Sequence, residues 1–64
     1  MELFAEHRTG HSTKFIIHEK DSDLYLGSDG FFTFRRHDAK VFDTKELANF
    51  EIERLNKKLI QLKN

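Results

Sequence analysis

Histidine is the residue type in this chain whose spacing most directly suggests metal chemistry. His7 and His11 stand four positions apart, the separation at which two imidazoles on one helix face can hold zinc. Thr9-Gly10 lies between them, and this segment lacks the pattern of a helix. The other histidines, His18 and His37, supply no third ligand at a suitable spacing. We therefore expect no metal site and assign the histidines to solvated or packed positions.

The aspartates also fail to form a recognisable metal loop. In a calcium loop starting at Asp21, the fifth position would be Tyr25, and no glutamate closes the segment at the twelfth position. Asp21, Asp23 and Asp29 instead stand in clusters with serine and glycine. We interpret them as turn residues.

The sequence contains no recognisable catalytic motif. Ser, His and Asp all occur, but no strand-to-helix nucleophile elbow and no glycine-rich phosphate loop is present in the sequence. A chain of 64 residues also has little capacity to enclose a catalytic cleft. We expect a protein that is not an enzyme and needs no cofactor.

Basic residues cluster once, at Arg35, Arg36 and Lys40. Basic and aromatic side chains on one sheet can bind phosphate groups or single-stranded nucleic acid. The chain nevertheless carries 11 basic and 11 acidic residues, and four of the acids stand in the neighbouring turns. Nucleic acid is therefore a partner that the sequence permits but does not favour, and a solvated charge cluster is the simpler interpretation.

The elements that position these residues predict a single α+β domain over residues 1–64. Short segments rich in β-branched and aromatic residues, separated by Asp, Ser and Gly, predict an antiparallel β-meander of three to four strands. The strands are expected at about 2–8, 14–19, 23–27 and 31–36. One long carboxyl-terminal helix is expected at about 44–62, capped by Asp43 or Thr44.

Register follows from the need to keep apolar side chains on one face. A three-residue turn ending at a left-handed Gly30 pairs Leu26 with Phe32. A turn at Lys20-Asp21 would place Phe15 beside Leu26 and Ile17 beside Leu24. The inner face is then predicted to carry two rows, Phe15/Leu26/Phe32 and Ile17/Leu24/Phe34.

The outer face predicted by this register is more apolar than a solvated face requires. Two interpretations remain open, since amino-terminal residues or a second subunit could cover it, or it could be a contact surface for a partner. The predicted partner-binding residues are Ile16, His18, Tyr25, Phe31, Thr33 and Arg35.

The helix carries an apolar stripe with the 4-3-4-3 spacing of a coiled-coil seam, formed by Ala48, Ile52, Leu55, Leu59 and Leu62. A helix of this length should extend beyond its own short sheet. We expect a homodimer through the C-terminal helix or a partner helix laid along it. In the homodimer, antiparallel pairing is favoured because Glu51 would face Lys58 of the second copy. The alternative is a monomer in which the whole stripe packs on its own sheet.

Compartment can be argued from two features. No segment approaches the roughly 20 apolar residues that span a bilayer, so we expect no membrane partner. The chain contains no cysteine, which fits a reducing compartment. We expect a cytoplasmic protein.

Two resemblances extend this interpretation. The segments Tyr25-Leu26, Gly30-Phe31 and 39–48 resemble small phage-encoded accessory proteins with a β-meander and a C-terminal helix. That resemblance implies stoichiometric binding to an unidentified host protein, including inhibition of a defence protein in the host cytoplasm. The order of three strands and a helix, with the helix entry at 42–48, is similar to AP2-like DNA-binding domains, which implies a sheet that reads DNA.

Three functions are therefore carried forward. The first is a non-catalytic binding module that inhibits or modulates a host protein. The second is a sheet-based nucleic-acid-binding protein. The third is a nucleotide sponge in which Tyr25 stacks on the base and Arg35 contacts the phosphate.

Overall fold

The computed structural model describes residues 2–8 and 10–63, and for residues 11, 12 and 59–63 it describes the backbone alone. The fold is α+β, as predicted, with a four-stranded antiparallel sheet followed by one helix. The spatial order is β1-β2-β3-β4, a meander. The strands are β1 (Leu3–Arg8), β2 (His11–Glu19), β3 (Tyr25–Leu26) and β4 (Phe32–Thr33), a 3₁₀ turn covers Arg36–Asp38, and helix α1 covers Lys45–Lys63.

The β1–β2 hairpin is the longest pairing of the sheet and confirms the predicted amino-terminal strand. Its register runs from Leu3 opposite Glu19 to His7 opposite Phe15, and it shifts at a bulge between His7 and Arg8. Leu3 and Ala5 face the core, whereas Phe4 lies on the opposite face against the ring of His18. Alternation along the strand accounts for this division.

The β3–β4 turn has the predicted register, with Leu26 opposite Phe32. Gly30 adopts a φ of +90°, a left-handed conformation that glycine tolerates without steric cost. The Asp29 carboxylate accepts a hydrogen bond from the Phe31 amide at 3.0 Å. Asp29 is thus a turn residue, as expected from its neighbours.

The β2–β3 register differs from the predicted one by two residues. His18 lies opposite Tyr25, and the Glu19 amide donates to the Leu24 carbonyl at 2.9 Å, so the predicted Phe15–Leu26 and Ile17–Leu24 pairs are wrong. The cause is a longer turn, because the Glu19 carboxylate accepts hydrogen bonds from the Asp21 amide and the Ser22 hydroxyl. A shift of two residues leaves the side chains of β2 and β3 on their predicted faces.

The segment before the helix occupies the place beside Phe15 that the predicted register gave to Leu26. The amides of Phe15 and Phe42 donate to each other's carbonyls at 2.9 and 2.8 Å. Thr44 is the helix cap, since its hydroxyl accepts from the Leu47 amide at 3.1 Å. Asp43 instead contacts Lys14 at 2.6 Å.

The main core lies between the helix and the inner face of the sheet. Its buried members are Leu3, Ile17, Leu26, Phe42, Ala48 and Ile52, with Ala5, Phe15, Phe32 and Leu55 packed at the edge. Ala48, Ile52 and Leu55 therefore pack on this chain's own sheet, which corrects their assignment to a dimer seam. The predicted seam residues Leu59 and Leu62 have side chains outside the described part.

The predicted position of Phe34 on the inner face is also wrong. Phe34 was predicted beside Ile17 and Leu24, but its side chain is 74% exposed. Strand β4 ends at Thr33, whose hydroxyl accepts a hydrogen bond from the Arg35 amide at 3.1 Å and turns the chain. The helix packs mainly against β1 and β2, so it does not cover this corner.

Candidate protein-contact surface

The part of the outer sheet face around Ile16 and Tyr25 is covered by the chain itself. Ile16 is 1% exposed and Tyr25 8% exposed, and both pack with the buried Ala39. Ala39 lies beside Gly27, and the Lys40 amide donates to the Leu26 carbonyl at 2.8 Å. The prediction that Ile16 and Tyr25 contact a partner is therefore wrong, because residues following the 3₁₀ turn occupy that position.

A polar and aromatic network closes the same face around His18. The two ring nitrogens of His18 lie 2.9 Å from the Glu6 carboxylate and 3.0 Å from the Ser22 carbonyl. The His18 ring stacks on Tyr25 with ring centres 4.3 Å apart. His18 is thus held by β1, by β3 and by the turn between β2 and β3, and only a small part of its side chain reaches solvent.

Arg36 is the centre of this network. Its guanidinium donates to the Glu6 carboxylate at 2.9 Å, to the Tyr25 hydroxyl at 3.1 Å and to the His7 carbonyl at 3.3 Å. The hydrogen bond to Glu6, followed by that to Tyr25, raises the pKa of Arg36 above its ordinary value. Arg36 therefore ties the segment after β4 to strand β1, and its charge is already matched by Glu6.

The predicted basic cluster is divided by these contacts. Arg35 lies 3.4 Å from the Asp38 carboxylate, and the Lys40 ammonium lies 5.4 Å from the centre of the Phe42 ring. Each of the three basic residues thus contacts an acidic or aromatic group of its own chain. Tyr25 is also buried against His18, so its ring is not available to stack on a nucleotide base.

Among the side chains that the structure describes, the most exposed large apolar ones flank strand β4. Phe31 and Phe34 are each 74% exposed, and the Arg35 side chain beside them is 70% exposed. Thr33 is half-buried between them and fixes the bend at Arg35. We name the four residues Phe31, Thr33, Phe34 and Arg35 the β4 surface. Three of them were predicted as partner-binding residues.

Phe34 is the member of this surface that the sequence analysis missed. Strict alternation places it on the inner face, where an aromatic residue is expected to join the core. The available signal was Thr33, a residue whose hydroxyl can bond to the amide two positions later and end a strand. A strand that stops at Thr33 leaves Phe34 without a covering element.

A polar groove of about 210 Å³ adjoins the β4 surface. It is lined by Gly27, Ser28, Asp29, Thr33 and Asp38. In the part of the chain that the structure describes, no three His, Asp or Glu side chains come together as metal ligands. The groove therefore offers hydrogen-bonding groups at the rim of an aromatic surface.

A second exposed apolar pair lies on the helix. Leu47 and Phe50 are three residues apart on the side away from the core, and both are exposed. They lie outside the apolar stripe of Ala48, Ile52 and Leu55 that packs on the sheet. Within the described residues, no helix is long and apolar enough to cross a membrane.

Comparison with known protein families, with curated proteins and with solved structures finds no match to this chain. The functional argument therefore rests on the geometry of the chain's own residues.

Proposed function

We propose that this chain is a non-catalytic protein-binding module that contacts one partner through the β4 surface. The observation that carries the proposal is the exposure of Phe31 and Phe34, each 74% accessible and separated by only two residues. A domain of this size has few apolar side chains to spare from its core. Leaving two phenylalanines in water is costly unless a partner covers them.

The composition of the surface fits protein recognition. Aromatic residues and arginine supply much of the binding energy in protein interfaces, and polar groups form the surrounding rim. Here Phe31, Phe34 and Arg35 are the candidate anchors, and the polar groove beside them is the candidate rim. The guanidinium of Arg35 forms an exposed pair with Asp38, which a partner carboxylate can replace.

The resemblance to phage accessory proteins extends the proposal to biology. It implies that the partner is a host protein in the cytoplasm and that stoichiometric binding inhibits or modulates it. This extension depends on the resemblance alone, whereas the binding surface depends on the exposed residues.

The test compares two exposed phenylalanine sites in the same small domain. A tagged chain is used to capture host proteins, in parallel with the Phe31→Ser/Phe34→Ser variant and a Phe50→Ser control. We expect one protein to be retained in near-stoichiometric amount by the unmodified chain and by the control, and to be lost with the double variant. Circular dichroism and thermal unfolding check that all three chains are folded.

Two results would replace the proposal. Loss of the partner with Phe50→Ser, but not with the double variant, would move the contact to the helix. Retention of nucleic acid, with an affinity that falls steeply as salt increases, would favour the nucleic-acid alternative.

A further inference from the structure

Strand β1 is an edge strand with six residues, three times the length of β4 at the opposite edge. It pairs with β2 on one side, and no described strand pairs with its other side. An edge of this length presents a row of main-chain donors and acceptors that another strand can use.

The phase of the hydrogen bonds shows which β1 residues present these groups. In β2, the amides of Phe15 and Glu19 donate to the carbonyls of Phe42 and Leu24, which lie on the side away from β1. The β1 residues opposite them, His7 and Leu3, therefore direct their own amides and carbonyls toward the open edge, and so does Ala5 between them. The His7 carbonyl also accepts a hydrogen bond from the Arg36 guanidinium at 3.3 Å, and it has a second lone pair for a further donor.

We propose that β1 pairs antiparallel with β1 of a second copy, around a twofold axis at Ala5. In this register Leu3 lies opposite His7 of the second copy, and Ala5 lies opposite Ala5. All three outward-facing residues then form main-chain hydrogen bonds, and the two sheets become one continuous sheet of eight strands.

The charges of β1 favour this register over the registers shifted by two residues. It places Glu2 opposite Arg8 of the second copy, and the twofold axis produces that pair twice. Sliding the strands by two residues in one direction places Glu6 opposite Glu6, and sliding them in the other direction places Glu2 opposite Glu6. Like charges directly opposite each other destabilise a strand pair, whereas opposite charges stabilise it.

The helices are compatible with this arrangement. Helix α1 packs on one face of β1 and β2, and a twofold axis perpendicular to the sheet keeps both helices on that face. A helix centred over these two strands would then lie about 10 Å from its copy, a usual packing distance for two helices. The pair would be antiparallel, the orientation that the charges of the helix also favour.

The first test measures the dimer dissociation constant of the full chain by sedimentation velocity, from micromolar to millimolar concentration. We expect Arg8→Glu to raise the constant by about tenfold, because two attractive pairs become repulsive. The double variant Glu2→Arg/Arg8→Glu should restore it to within about threefold of the original. Glu53→Arg, a charge reversal on the exposed helix surface, is the matched control and should leave it unchanged.

The second test needs no variant and is therefore independent of folding defects. Amide hydrogen exchange of the unmodified chain is followed by NMR at low and high protein concentration. The amides of Leu3, Ala5 and His7 should become protected as concentration rises, while Glu6, which bonds to β2, should be protected throughout. A monomer at millimolar concentration would overturn the proposal, and so would a dimer in which these three amides exchange freely.

Discussion

Two halves of this small sheet differ in how they are stabilised. The helix packs mainly against β1 and β2, which have six and nine residues, whereas β3 and β4 have two residues each. Phe42 is buried beside β2, but Phe34 at the end of β4 is 74% exposed. The same residue type thus belongs to the core in one half and to the surface in the other. Coverage by the helix, rather than hydrophobicity, makes the difference.

The comparison also separates stability from recognition. The half under the helix contributes most of the buried aliphatic residues of the core, which Leu26 of β3 joins, and it needs no partner to bury them. The other half is held by a tight turn and by the polar network at Arg36, which buries Tyr25 but leaves Phe31 and Phe34 accessible. Five substitutions, two of them with a comparison variant, test this division, beginning with the largest expected effect.

Ile17→Ala should have the largest effect on the free energy of unfolding. Ile17 is fully buried between the sheet and the helix, and truncating such a residue leaves a cavity in the core. We expect a loss of about 3 kcal/mol, a large share of the stability of so small a domain. Urea unfolding followed by circular dichroism measures it, and a loss below about 1 kcal/mol would contradict the placement of the core.

Gly27→Ala should destabilise the β3–β4 half by a steric effect. A Cβ atom at Gly27 would lie 2.8 Å from the Phe31 carbonyl and 3.0 Å from the Asp29 carboxylate. We expect a loss of about 2 kcal/mol by thermal unfolding. Gly30→Ala is the control, since its Cβ meets open space and only the positive φ costs energy, about 1 kcal/mol. Equal effects would show that the close approach at Gly27 is relieved elsewhere.

Arg36→Met should loosen the connection between the segment after β4 and strand β1. It removes hydrogen bonds to Glu6, Tyr25 and the His7 carbonyl. Because the side chain is 37% exposed, we expect a loss of only about 1 kcal/mol. Arg35→Met should change stability by less than about 0.5 kcal/mol, because Arg35 is largely exposed. A larger loss of stability for Arg35→Met than for Arg36→Met would contradict the role of Arg36 in this network.

Glu19 should give the protein part of its acid sensitivity. The hydrogen bond from Ser22 lowers the pKa of Glu19 below its ordinary 4.5, although burial acts in the opposite direction. A lowered pKa in the folded state stabilises the protein above pH 4.5, and this stabilisation is lost as the pH falls through the lowered value. Glu19→Gln should flatten the fall in melting temperature below pH 4.5. If the melting temperature of the variant falls at low pH as it does in the unmodified protein, other carboxylates are responsible for the acid sensitivity.

Phe34→Ser should have the smallest effect on stability. The side chain is largely exposed, so little apolar contact is lost. We expect a change below about 0.5 kcal/mol in urea unfolding, together with weaker partner binding. A loss comparable to that of Ile17→Ala would place Phe34 in the core and remove it from the β4 surface.

Much of the fold could be predicted from local sequence signals. Alternation and turn residues predicted the strands, and the position of Gly30 predicted the register of β3 against β4. Helix spacing identified Ala48 and Ile52 as members of one apolar stripe. The stripe alone did not show whether its neighbour was the sheet or a second copy, because both bury the same side chains.

The errors concern side-chain contacts that no periodic sequence pattern marks. The β2–β3 register depends on the Glu19 side chain binding the turn that follows it, an interaction without a periodic pattern. Coverage of Ile16 and Tyr25 depends on Ala39 returning across the sheet and on Arg36 reaching Glu6. The candidate surface overlaps the predicted one in part: Phe31, Thr33 and Arg35 had been predicted as partner-binding residues, whereas Phe34 had been assigned to the core.

Hydrogen exchange under mildly denaturing conditions tests the division between the two halves most directly. It compares the opening free energies of Ile16 in β2 and Ala48 in the helix with that of Gly27, whose amide bonds to the Phe31 carbonyl at 2.8 Å. We predict that Ile16 and Ala48 exchange only through global unfolding and that Gly27 exchanges through a smaller, local opening. Equal opening free energies for all three amides would show one cooperative unit and contradict the account.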